Sequence, residues 1–191
     1  MNPLTRDDLM PLAEYERRRP EFRSATVAHK KSRRVSVGPV LSFVFEDRET
    51  LRFQVLEMCR AERIEAPAKA QAELDVYNAL LPSGSDLSAT MFVELTTEEE
   101  LRTWLPKLPG VEHAVRLDVG PTRISAVAEG GRSKEDATSS VHYLRFPFSP
   151  EAIAAFRSGH GAATLVVDHE NYLASTELPP DVRASLARDF S

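Results

Sequence analysis

The sequence contains one cysteine, Cys59, one tryptophan and 8 glycines in 191 residues. A lone thiol excludes an intramolecular disulfide and any cysteine-rich zinc or iron–sulfur centre, and makes a reducing cytoplasm the expected compartment. No apolar run approaches the roughly 18 residues that a membrane-spanning helix needs, and "MNPLTRDDLMPLAEYERRRP" lacks the apolar core of an export signal. There is no Walker loop, no Gly-x-Ser-x-Gly, no His-Glu-x-x-His and no Glu-x-x-His. "GHGAAT" is only a broken glycine fingerprint, and it follows a helical segment rather than a strand.

What is present is ordinary globular material, 42% hydrophobic and 28% charged, which excludes a disordered or fibrous chain. One domain over 1–191 is expected, with a basic helical segment at 1–34 and an α+β body at 35–191. The net charge of −5 is unevenly spread, because the first 34 residues hold nine basic and five acidic groups. "HKKSRR" at 29–34 is the one dense basic run. The acidic body and the lack of interleaved aromatics argue against nucleic acid and for an anionic ligand or a protein partner.

Along the chain, Thr5 and Asp8 form a capping-box pattern, and Pro20 should stop a first helix near Arg19, with a second helix following. "RVSVGPVLSFVFE" alternates as a strand with Gly38-Pro39 as a bulge or edge feature. Helices are predicted from Glu49 to Ile64, from Pro67, after Thr97, after Ser149-Pro150 and in "LPPDVRASLARDF". Strands are predicted in "ATMFVEL", "VEHAVRLDV", "RISAVAE", "SVHYLRFPF" and "AATLVVDH", and "GGRSKEDATS" reads as the most flexible segment. The elements do not alternate as βαβ units, so the expected fold is α+β with a largely antiparallel sheet packed against several helices.

The helix in "FEDRETLRFQVLEMCRAERIE" has apolar residues on nearly every side, yet it carries Gln54, Glu57, Arg60 and Glu62. At 100° per residue Glu62 falls with Leu51, Val55 and Met58, so it is expected to be buried and to need a partner from another element. His142 shares a strand face with Leu144 and Phe146, His169 one with Leu165 and Val167, and Glu73 lies one turn before Tyr77. Carboxylates beside inward histidines would make an acid–base pair or an oxygen/nitrogen site for a divalent metal. Glu57, Glu62 and His142 are therefore the candidate catalytic groups, and these three with His169 the candidate metal ligands. Gln54, Arg60, Glu73 and Arg145 are the candidate ligand-binding residues. Glu57 with Arg60 also fits a structural ion pair, and His142 a satisfied core histidine.

The blocks "LTRDDLMPLAEYERRRPEFR", "FEDRETLRFQVLEMCRAERI", "ELDVYNALLPSGSDLSATMFVEL" and "TSSVHYLRF" together resemble a bacterial family of uncharacterised proteins, domain of unknown function 3501. The resemblance implies that Glu46, Gln54, Glu57, Arg60, Glu62, Glu73, His142 and Arg145 occupy characteristic positions. It departs at Ala137, where a lysine is usual, with Lys134 close by. By gene context it implies redox or oxidative-stress metabolism, beside rubrerythrin-like and iron–sulfur proteins. Two functions are then in play. One is a semi-buried Glu/Arg/His pocket for a small anionic ligand or divalent metal; the other is a non-catalytic protein that docks to a redox partner through its basic N-terminal helices.

Overall fold

The computed structural model describes residues 1–130 and 138–190. Most of the expected flexible segment "GGRSKEDATS", with Lys134 and Ala137, lies outside the described residues. Pro20 does not end the first helix: α1 runs unbroken over Leu12–Lys31. A proline inside a helix costs about 3 kcal/mol. Here Pro20 and Glu16, whose carbonyl the ring leaves without its donor, are both exposed, and α1 is anchored on either side of the proline, by Tyr15 and Arg19 before it and His29 after it.

"RVSVGPVLSFVFE" is two strands rather than one bulged strand. β1 (Arg34–Val37) and β2 (Leu41–Phe45) form an antiparallel hairpin that pairs Val37 with Leu41. Gly38 turns the chain with a φ of 65°, and a Cβ there would meet the Tyr172 hydroxyl at 2.4 Å, so both backbone and space demand glycine. α2 (Arg48–Ala61) starts at Asp47, whose carboxylate accepts from the backbone N–H of Glu49 and Thr50, and α3 (Pro67–Asn78) opens on its proline as expected. β3 (Asp86–Val93) is followed by α4 (Glu98–Trp104), capped by Thr97.

β4 (Val115–Val119) and β5 (Thr122–Ser125) make the expected hairpin, but β6 (Val127–Ala128) joins a different sheet, so the chain crosses between sheets at Ala126. β7 (Val141–Pro147), α5 (Pro150–Ser158), β8 (Ala163–His169), β9 (Tyr172–Glu177) and α6 (Pro180–Leu186) complete the chain. Strand β9 has no counterpart in the sequence reading. Its alternation is diluted by Ala174, Ser175 and Thr176, and Leu173 points outward.

The architecture is α+β. One sheet has the order β1-β2-β3-β7-β6 and the other β5-β4-β8-β9, with every pair antiparallel. Their facing sides close on one apolar core that includes Phe43, Phe45, Met91 and Phe146 from the first sheet and Leu117, Leu165 and Val167 from the second. Helix α2 meets the other face of the first sheet through Gln54 and Glu46, with α1 on one flank and α3 on the other. A separate small apolar cluster, among them Leu4, Leu51, Val55, Leu74 and Leu81, holds α2, α3 and the N-terminal segment together. Between the two cores lies a polar layer, and it positions the candidate site.

Candidate functional site

Strand alternation builds the polar layer. In β2 and β3 the residues that point away from the sandwich core include Ser42, Ser88 and Thr90, all buried, and Glu46 just beyond β2 continues the same face at 1% exposure. The stripe of α2 that includes Thr50, Gln54 and Glu57 meets this bed. Glu46 Oε1 accepts from Thr90 Oγ1 at 2.5 Å and from Gln54 Nε2 at 3.0 Å, while Oε2 accepts from Thr50 Oγ1. Among the described residues no Lys, Arg or His lies within 4 Å of this carboxylate. The amphipathic logic of α2 is thus inverted: its apolar residues pack on α3 and the N-terminal segment, and its polar stripe faces the sheet.

One turn on, Glu57 is the hub of an ionic group. Arg19 from α1 donates to both its oxygens, Nε to Oε1 at 2.7 Å and Nη2 to Oε2 at 2.8 Å, and the Tyr15 hydroxyl donates to Oε1 at 2.7 Å. Arg60 Nε approaches Oε1 at 3.5 Å without a hydrogen bond. The Arg19 guanidinium holds the Glu57 carboxyl down at about 2, against the opposing effect of burial, while burial and the neighbouring carboxylate push the Tyr15 phenol up. A folded pKa below the unfolded value gives stability that is complete above about 4.5 and is lost as the pH falls towards about 2. Thermal melts of Glu57→Gln are therefore expected to fall below wild type at pH 7 and to converge on it near pH 2. A gap that is the same at both values would mean that Glu57 is not ionised in the folded protein.

Gln54, Glu57, Met58, Arg60 and Ala61 of α2 and Tyr77 of α3 line an open hollow of about 300 Å³. Burial pushes the Tyr77 phenol up, with further contributions from Tyr143, Glu73, Glu46 and Glu62. A larger cavity of about 450 Å³ lies on the opposite flank of α2, beside Leu9, Leu12, Leu56 and Cys59. Its tyrosine, Tyr15, is already committed to Glu57, and burial raises the Cys59 thiol away from the reactive thiolate.

The structure brings Glu46, Gln54, Glu57 and Arg60 together, with Glu73 close enough to act on Tyr77. It does not bring in the others. Glu62 is exposed, because α2 ends at Ala61 and the helical phase that placed it with Leu51 and Val55 no longer applies; Arg63 follows with φ 52°. His142 does face inward, at 1% exposure, but into the sandwich core, on the opposite face of the sheet from α2. Its Nε2 lies 3.0 Å from the Ser139 carbonyl and 2.9 Å from Thr138 Oγ1, and its acidic neighbour is Glu112, 3.8 Å from Nδ1.

Arg145 binds Asp86 at 2.7 Å and the Ala79 and Leu81 carbonyls, tying the chain just beyond α3 to the sheet. His169 holds the β8–β9 turn through the Pro109 carbonyl and the Asn171 N–H. Among the described residues no group of three or more His, Cys, Asp and Glu could hold a metal ion, so Glu57, Glu62, His142 and His169 do not converge.

Three members of the basic run are tied into the fold. His29 contacts Asp47 at 2.7 Å, Arg33 is buried against Asp189 and Asp47, and Arg34 pairs with Glu94. Sequence reasoning missed Glu112, Thr90 and Arg33. For Arg33 a signal exists, since it precedes Val35 and Val37 at a spacing of two and so shares their buried face.

A profile described as "Protein of unknown function (DUF3501)" matches residues 3–190. The chain belongs to this family. A crystal structure described as a novel protein of unknown function from Burkholderia pseudomallei K96243 has 37% identity to this DUF3501 protein, covers 100% of both chains and superposes with a TM-score of 0.93. No curated protein matches the chain. Among the described residues no helix is long and apolar enough to cross a membrane.

Proposed function

We propose that this DUF3501 protein binds a small molecule bearing an anionic group in the hollow between α2 and α3, with Arg60 as the anchor. One observation carries the reading: Arg60 is a cation in surplus. Glu57 is already bonded by the two-pronged Arg19 and by Tyr15, which leaves Arg60 a 3.5 Å approach and, among the described residues, no hydrogen bond of its own. A guanidinium held at the wall of a concave site suits a carboxylate or phosphate, which accepts two parallel N–H bonds. Gln54 is positioned by Glu46, so the wall beside Arg60 is set before a ligand arrives. Redox or oxidative-stress metabolism, implied by the family resemblance, is the setting of this proposal and not its chemistry.

Calorimetric titration with short carboxylates and inorganic phosphate tests it. Arg60→Gln is expected to weaken the tightest of them by about tenfold or more, the value of a hydrogen bond to a charged group, with little change in the melting temperature. Unchanged affinity in that variant would remove Arg60 from the site.

A further inference from the structure

Tyr77 is 9% exposed and lines the hollow, yet its hydroxyl makes no hydrogen bond among the described residues. A phenol this deeply buried usually has a partner for its polar tip, and a ligand in the hollow can supply one. The surroundings of that hydroxyl are negative. Glu73 lies one helical turn before it, Glu46 lies in the polar layer with only neutral side-chain donors among the described residues, and Glu62 is near enough to act on it. Neither Glu62 nor Glu73 forms an ion pair among the described residues, which leaves the Tyr77 end of the hollow without a cation of its own. At the other end, Arg60 is a cation in surplus. The hollow is therefore bipolar.

We propose that the ligand is zwitterionic, with its anionic group on Arg60 and a primary ammonium donating to the Tyr77 hydroxyl oxygen, as in an amino acid or another small aminocarboxylate. The inference rests on the binding reading above and names its ligand class. A plain dianion would bring its second charge against Glu46, Glu62 and Glu73, whereas an ammonium there is attracted by all three. About 300 Å³ holds roughly ten water-sized groups, which suits a short-chain aminocarboxylate.

Calorimetry at pH 7 with matched pairs tests this: glycine against acetate, β-alanine against propionate, 4-aminobutyrate against butyrate and 6-aminohexanoate against hexanoate. At the chain length that spans the site, the amino compound is expected to bind about tenfold tighter or more than its parent acid. Tyr77→Phe is expected to reduce that preference severalfold and leave the affinity for the parent acid nearly unchanged, since the phenyl ring keeps the packing. Glu73→Gln, on the helix surface, is expected to reduce the preference and gives a second reading should Tyr77→Phe fold poorly. Parity between amino compound and parent acid in the wild type would overturn the zwitterion and leave the Arg60 reading standing. A preference undiminished by both substitutions would overturn the placement of the ammonium. Binding of neither series would overturn the inference together with the reading beneath it.

Discussion

Replacing Arg33 with methionine is expected to lower stability by about 3 to 5 kcal/mol, the cost of breaking a buried ion pair by removing one partner. Arg33 is 2% exposed and joins three parts of the chain. Its Nε donates to the Phe45 carbonyl at 2.8 Å, its Nη2 to the Glu46 carbonyl at 3.2 Å and to Asp189, and Asp47 Oδ2 lies 3.3 Å away. Without the guanidinium, Asp189 stays buried opposite an apolar side chain. For a chain of this size each kcal/mol shifts the midpoint by about 2 to 4 °C, so a fall of roughly 10 °C is expected in a thermal melt. Adding Asp189→Asn to Arg33→Met removes the stranded charge and is expected to restore part of the loss. A double variant less stable than the single would show that Asp189 is stabilised by other contacts.

The second large effect is expected at Glu46. Glu46→Ala takes the shared acceptor from the Thr90 hydroxyl and the Gln54 amide, while the Thr50 hydroxyl keeps the Asp47 carbonyl at 3.1 Å. At about 1 kcal/mol or more for each of these two groups the loss is about 2 kcal/mol, again read as a lower midpoint. The triple variant Glu46→Leu, Gln54→Leu, Thr90→Val replaces the acceptor and two of its three donors with apolar groups of similar volume, and Thr50 keeps its bond to the Asp47 carbonyl. Buried polar sets replaced in this way are often neutral or stabilising. The triple variant should therefore melt within about 1 kcal/mol of wild type while losing ligand affinity, because Gln54 lines the hollow. A triple variant as unstable as Glu46→Ala would mark the cluster as a packing device and not part of a site.

Most helix positions after the first, the α+β class and most strands were legible because they depend on local rules: Asp47 and Thr97 cap their helices, Pro67 opens one, and alternation marks β3, β7 and β8. What was not legible depends on the second partner of each group. The α2 residues were correctly singled out, but their partners Glu46, Thr90, Tyr15 and Arg19 come from three other elements, and periodicity reports only the face of one. Alternation turned His142 inward correctly. It could not say which of the sheet's two faces carries α2, and so His142 meets Glu112 instead of Glu57. Glu62 failed for a smaller reason, since phase holds only as far as the helix does. The basic run misled because arginine spacing looks the same whether the guanidiniums reach solvent or, as with Arg33, a carboxylate far along the chain.

The chain's four tyrosines give a direct local test of the hollow as a binding site. With 13Cζ-labelled tyrosine, NMR titration with the tightest member of the carboxylate and aminocarboxylate series reports each phenol separately. Tyr77 lines the hollow, while Tyr172 lies in the sandwich with its hydroxyl donating to the Val37 carbonyl at 2.6 Å. The expected result is a saturable shift of the Tyr77 resonance, with Tyr172 unmoved and the shift lost in Arg60→Gln. Saturation of the protein with the Tyr77 resonance unmoved, or no saturable response to any member of the series, would contradict the placement of a ligand between α2 and α3.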